Sequence, residues 1–237
     1  LNVSLALMYS MSSEKTLRLF GEITVPGDKS ISHRSLILGS LVSGRIKIFN
    51  LLESEDVLAT ANALKTLGVT INKIKNSWEV FGQGIGNFYG NSHTLDMGNS
   101  GTAARLLMGI IAGSDVEATF TGDESLSKRP MRRVILPLLK TGAMFKEPEK
   151  STLPLTLKGS KIPLPLTYKS PVSSAQIKSC ILLCGLSSLG KTTVIEPSLS
   201  RDHTERMLKF LGAKVETTQL EDMSWKISLE GLPELKP

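Results

Sequence analysis

Lys65-Thr66-Leu67-Gly68-Val69 ends a helical run on a glycine, and the same ending returns at Lys140-Thr141-Gly142-Ala143 and Phe210-Leu211-Gly212-Ala213. Glycine tolerates the left-handed backbone that commonly follows a helix, so each of the three reads as a C-terminal cap. The endings recur at roughly 70 residues, a period that marks an internal repeat. Downstream of each lies a polar stretch and a short strand closing on a second glycine, at 78–82, 155–159 and 226–231. Upstream, a Ser-rich turn feeds an apolar helix (30–41, 100–112, 173–186), then a strand (45–51, 117–121, 192–196) and a second helix (56–67, 130–141, 202–211). With a leading strand, each unit reads β-α-β-α-β-β, over about 17–82, 94–159 and 164–231. Helices that are apolar nearly all round, such as 100–112, belong inside. The expected fold class is α/β, with three sheets packed around an inner helical bundle in one domain over 17–237.

Composition narrows the function. Hydrophobic residues make up 41% and charged residues 21%, ordinary for a globular chain, and no apolar run approaches the roughly 20 residues of a membrane helix. The expectation is a soluble protein with no membrane partner. Residues 1–16 read as an extension, with Met8 or Met11 as a natural start, because residues 1–10 lack a basic leader and a cleavage pattern. Cys180 and Cys184 fall on one helix face within an apolar run, as small buried thiols of a reducing compartment do, which suggests a cytoplasmic protein. The histidines at 33, 93 and 203 have no metal-ligand spacing with them, so no metal is expected. A net charge of +6 suits nucleic acid or small anions. Aromatics, only 5% and not interleaved with the basic residues, argue against nucleic acid and leave small anions.

Several segments carry chemistry. In Val25-Pro-Gly-Asp-Lys29-Ser30-Ile-Ser-His-Arg34, a broken strand releases two cations and two hydroxyls at a helix start, where free N–H groups add partial positive charge. The plainer reading is a capped surface helix. Leu95-Asp-Met-Gly98-Asn99-Ser100-Gly101-Thr102-Ala-Ala-Arg105 is a second such start, or simply a tight Asn-Gly turn. Arg105 reads equally as a ligand or as a buried arginine paired with Glu55 or Asp56. Lys128-Arg129 stands before Pro130, a residue suited to the first helical position, and is either an anion clamp or solvated surface. Ser173-Ser174-Ala175-Gln176 opens the third inner helix with hydroxyls and an amide, while Arg201 begins the last helix as a phosphate or carboxylate ligand; His203 beside it reads as structural.

Gly185-Leu-Ser-Ser-Leu-Gly190-Lys191-Thr192 matches a phosphate-binding loop letter by letter. Such a loop follows a strand and opens a helix, whereas this stretch follows a helix and precedes a strand. A nucleotide-binding reading is therefore set aside.

Taken together, PGDKSISHR (26–34), LDMGNSGTAAR (95–105), GDESLSKRPM (122–131), SPVSSAQIKS (170–179) and SRDHTERM (200–207) resemble the 5-enolpyruvylshikimate-3-phosphate synthase family in order and spacing. The resemblance covers about 17–231 and implies one domain of an inside-out α/β barrel, the N-terminal half of a two-domain enzyme that uses no cofactor. It implies that Lys29, Ser30, Arg34, Ser174, Ala175, Gln176 and Arg201 hold shikimate 3-phosphate, and that Lys29, Asn99, Gly101, Arg129 and Gln176 face phosphoenolpyruvate. Lys29 is the catalytic candidate, and Gly101 is expected to leave room beside Asn99. Proton-transferring residues would come from a C-terminal half, and the strand at 17–25, which in the family crosses to that half, is expected to be unpaired or rearranged. A split enzyme, an isolated domain, a gene remnant and a plain small-anion binding module all fit these motifs.

Overall fold

The structure, a computed structural model, describes residues 12–15, 18, 20–88, 90 and 92–237. Its first repeat comprises α1 (Lys29–Leu41), β1 (Ser43–Phe49), α2 (Glu55–Thr66), β2 (Thr70–Ile74) and β3 (Ser77–Gln83). The second runs β4 (Ser92–Asp96), α3 (Gly101–Ala112), β5 (Glu117–Thr121), the single turn α4 (Glu124–Ser127), α5 (Arg132–Leu139), β6 (Met144–Phe145) and β7 (Leu155–Lys158). The third runs β8 (Thr167–Lys169), α6 (Ala175–Gly185), β9 (Lys191–Glu196), α7 (His203–Phe210), β10 (Val215–Gln219) and β11 (Trp225–Glu230).

Each repeat builds its own sheet, ordered β1-β3-β2, β4-β5-β7-β6 and β8-β9-β11-β10. In the last two sheets the leading strand runs parallel to the strand after the inner helix, β4 beside β5 and β8 beside β9, and the other pairs are antiparallel. Equivalent hydroxyl pairs pin two of the registers: Thr119 opposes Thr156 with oxygens 2.9 Å apart, and Thr193 opposes Ser228 at the same distance.

The first repeat lacks the leading strand of the unit, in line with the expectation that 17–25 would be unpaired or rearranged. Residues 20–25 form no strand, so this repeat is α-β-α-β-β; Leu17 and Leu19 lie outside the described residues. The backbone of 20–25 meets no neighbouring strand with which to build a ladder, and Phe20, Ile23 and Val25 stay exposed. A correction concerns Pro130. It precedes α5 by two residues, because Met131 donates its N–H to the Ser151 carbonyl at 2.7 Å and the helix starts only at Arg132.

Both sets of repeating glycines have a steric cause. Gly68, Gly142 and Gly212 follow their helices with φ of +92°, +94° and +97°, the left-handed caps expected of them. The glycines that close the strands answer to close approach: a Cβ on Gly82, Gly159 or Gly231 would lie 2.1, 1.8 or 2.0 Å from the carbonyl oxygen of Val42, Ile111 or Ser188. Each of those carbonyls lies at or just beyond the end of the repeat's own inner helix, so the contact locks sheet to helix. The inner helices α1, α3 and α6 carry the core, and on α3 Ala103, Ala104, Leu106, Leu107, Met108 and Ile111 are wholly buried.

Candidate anion-binding site

Each inner helix opens on a capped N-terminus. Asp28 accepts from Ile31 N at 2.8 Å, Ser100 from Ala103 N at 3.1 Å and Ser174 from Ile177 N at 3.4 Å. The first cap is therefore Asp28 and not a serine. Side chains tie the three starts together. From α1, Arg34 donates through Nε to Thr204 Oγ1 on α7 (2.7 Å), through Nη2 to Ser179 Oγ on α6 (2.9 Å) and through Nη1 to the Ser30 carbonyl (2.9 Å). From α6, Gln176 donates to Thr102 Oγ1 on α3 and accepts from Arg105 Nη1, both at 3.0 Å.

Ser174, Ala175, Gln176 and Arg201 line one open cleft of about 410 Å³ together with Ser173 and Ser200. Ser174 and Gln176 also line a neighbouring 230 Å³ pocket with Arg105 and Arg133. Lys29 begins α1 half-exposed, its ammonium paired with Asp56. Asn99 and Arg129 form a third patch: Arg129 Nη2 donates to Asn99 Oδ1 and Nη1 to the Asn99 carbonyl at 3.3 Å. Gly101 joins this patch to the second pocket, since a Cβ there would lie 2.8 Å from Arg105 Nη1 and 3.4 Å from Arg129 Nη1. The room that Gly101 leaves is taken by Arg105.

Cations crowd here. Burial lowers the Arg105 pKa, and Arg129 and Arg133 lower it further by repulsion. Arg34 is lowered chiefly by burial, with Glu205 acting in the opposite direction and Arg201 adding to the fall. An anion bound among such groups relieves their mutual repulsion, and the helix N-termini add N–H donors. By contrast, a 450 Å³ cavity between α1, β1 and α7 is lined largely by apolar groups such as Leu38, Ile46, Phe49 and Phe210, which offer a small anion little.

Arg105 does not pair with Glu55 or Asp56. It donates to Gly101 O, Gln176 Oε1 and Pro130 O, while Asp56 takes Lys29. Lys128 and Arg129 diverge, Lys128 to Glu124 and Arg129 to Asn99. The loop-like stretch 185–192 joins α6 to β9, and Lys191 is a strand residue 3.8 Å from Glu216, so it lacks the strand-to-helix setting of a phosphate loop. Arg133 went unnoticed in the sequence because a second arginine after a proline looks like surface. The buried Lys178, Glu196 and Glu205 were equally hidden, for their contacts join three elements.

The three repeats, each a sheet packed on an inner helix with a capped N-terminus, define a repeat-built α/β protein. The family model EPSP synthase (3-phosphoshikimate 1-carboxyvinyltransferase) matches residues 13–236. The 3-phosphoshikimate 1-carboxyvinyltransferase of Parvibaculum lavamentivorans is 52% identical over 229 residues, 96% of this chain and 51% of that protein. The enzyme of the same name from Rhodopseudomonas palustris (strain HaA2) is 53% identical over 92% of this chain and 49% of its own. The EPSP synthase structure from Acinetobacter baumannii superposes with a TM-score of 0.84 at 43% identity, covering 91% of this chain and 48% of that one. This chain belongs to the EPSP synthase family. It spans about half the length of the curated relatives it matches.

Proposed function

We propose that this chain is the shikimate 3-phosphate-binding half of an enzyme that transfers the carboxyvinyl group of phosphoenolpyruvate to the 5-hydroxyl of shikimate 3-phosphate. The hydroxyl gives up its proton as its oxygen bonds to C2 of phosphoenolpyruvate and C3 gains a proton; the tetrahedral adduct then breaks its C2–O bond to phosphate and loses a proton from C3. Lys29, Ser30, Arg34, Ser174, Ala175, Gln176 and Arg201 hold shikimate 3-phosphate, and Lys29, Asn99, Gly101, Arg129 and Gln176 face phosphoenolpyruvate. No cofactor takes part, and the setting is cytoplasmic.

The observation that carries this reading is the cleft in which Ser174, Ala175, Gln176 and Arg201 meet, tied to α1 through Arg34 and to α3 through Arg105. Arg34 commits one N–H from each nitrogen to the protein, and its guanidinium has two more for a ligand carboxylate. Proton transfer needs groups poised on the 5-hydroxyl and on C3, which we assign to a second half. The domain over 17–237 would pair with it, and the outer edge of β1, which lacks the parallel strand that β5 and β9 possess, supports a place for an added strand.

Calorimetric titration tests the binding role. Shikimate 3-phosphate should bind well ahead of inorganic phosphate or unrelated phosphate esters, and Arg201→Ala should weaken it at least about tenfold, as loss of a charge-assisted contact does. Equal affinity for unrelated phosphates would favour a generic anion-binding module.

A further inference from the structure

We propose that Lys178 is a positioning residue for the anion cleft, fixing from inside the protein the loop that presents Arg201. The inference deepens the reading of that cleft as the shikimate 3-phosphate site and rests on it. Lys178 lies in α6 with its side chain wholly buried, and Glu196 at the end of β9 and Glu205 in α7 are nearly so. Its ammonium stands 2.9 Å from Glu196 Oε1, 2.6 Å from Glu205 Oε1 and 3.3 Å from the carbonyl oxygen of Ser200. Glu196 in turn accepts from the Ser200 amide at 2.8 Å, and the Ser200 hydroxyl lies 2.8 and 3.0 Å from its two oxygens. The residue immediately before Arg201 is thus held by its amide, its carbonyl and its side chain.

The same two helices serve Arg34 one residue along. Ser179 follows Lys178 and Thr204 precedes Glu205, and their hydroxyls, 2.7 Å apart, both accept from Arg34. Lys178 pairs with both Glu196 and Glu205, and Arg34 adds a second positive charge felt by Glu205. A buried ion cluster is costly to desolvate and adds little stability, and in some proteins it serves instead to fix one geometry. Here the geometry fixed is that of the only loop linking β9 to α7, with Arg201 on its exposed side.

Calorimetry with shikimate 3-phosphate on the wild-type chain, Lys178→Met, Ser200→Ala, Arg201→Ala and the two double variants carrying Arg201→Ala tests this. Lys178→Met should lower affinity roughly tenfold and Ser200→Ala severalfold, and both losses should vanish when Arg201 is already alanine. A purely structural role leaves the losses additive, and that result, or wild-type affinity in a folded Lys178→Met, overturns the proposal. If Lys178→Met does not fold, Ser200→Ala decides alone. Hydrogen exchange of the amide at position 200 is independent of ligand. It should speed up at least tenfold in either variant, and an unchanged rate overturns the proposal. If the wild-type chain binds no shikimate 3-phosphate, the functional reading fails and the exchange rate alone judges the positioning role.

Discussion

Lys29 and His33 lie one helical turn apart on α1, yet their surroundings set them to opposite tasks. The Lys29 ammonium is half-exposed and its ion pair with Asp56 faces solvent on one side, so it can turn to a ligand at little cost. In a completed enzyme Lys29→Met should reduce turnover by at least about a hundredfold with folding unchanged, as loss of a group that stabilises developing charge does; near-normal steady-state rates would remove Lys29 from the chemistry. His33 is fully buried, its Nδ1 2.7 Å from Thr60 Oγ1 and its Nε2 without a hydrogen-bond partner among the described residues. Burial lowers its pKa to about 4, with Asp56 opposing and Lys29 and Arg34 reinforcing the fall. The unfolded chain, whose histidine has the ordinary value of 6.5, therefore binds the extra proton first, and stability falls as pH drops from 6.5 towards 4. The full loss is roughly 3 kcal/mol from this one group. Glu205, which burial raises, changes stability in the opposite sense, so a comparison is needed. His33→Leu should flatten the acid side of the stability curve in urea unfolding at pH 7.5, 6 and 5, and a curve parallel to wild type would contradict the assignment.

At the scale of elements, the repeat was legible wherever a local rule determines the outcome. The caps at Gly68, Gly142 and Gly212 and the strands ending near Gly82, Gly159 and Gly231 follow from backbone sterics that any window of sequence carries. Gly159→Ala puts a methyl group against the Ile111 carbonyl, a backbone atom that cannot step aside, and should cost roughly 1–3 kcal/mol in thermal or urea unfolding. Gly142→Ala meets nothing closer than 3.8 Å and strains only its left-handed backbone, so it should cost less, about 1 kcal/mol. An equal cost at both positions would refute the close-approach explanation. What sequence could not show is pairing between distant elements. Arg34 and Thr204 are 170 positions apart, and nothing near either names the other. Arg105 likewise was open between a ligand role and a pair with Glu55 or Asp56, and its partner Gln176 lies 71 positions away. The unpaired stretch 20–25 was, by contrast, anticipated from the family resemblance, for a strand exists only where a neighbour completes its ladder.

At the scale of the molecule, the three capped helix starts are tied to one another by side-chain hydrogen bonds of Arg34, Gln176 and Arg105. Under the proposed function this arrangement binds and orients substrate, which lowers a barrier through proximity, but the proposed reaction also moves protons at two atoms. The chain alone should therefore release no phosphate from the two substrates above background, and mixing it with a polypeptide carrying the other half of a relative should restore release; robust turnover by the chain alone would contradict the division of labour. The most direct measurement is a crystal structure of this chain soaked with shikimate 3-phosphate. The account predicts one ligand whose phosphate and carboxylate are gripped between the start of α1, the Ser174–Gln176 turn and Arg201. A ligand seated elsewhere, or one touching a single helix start while Lys29, Arg34 and Arg201 point away from it, would contradict it.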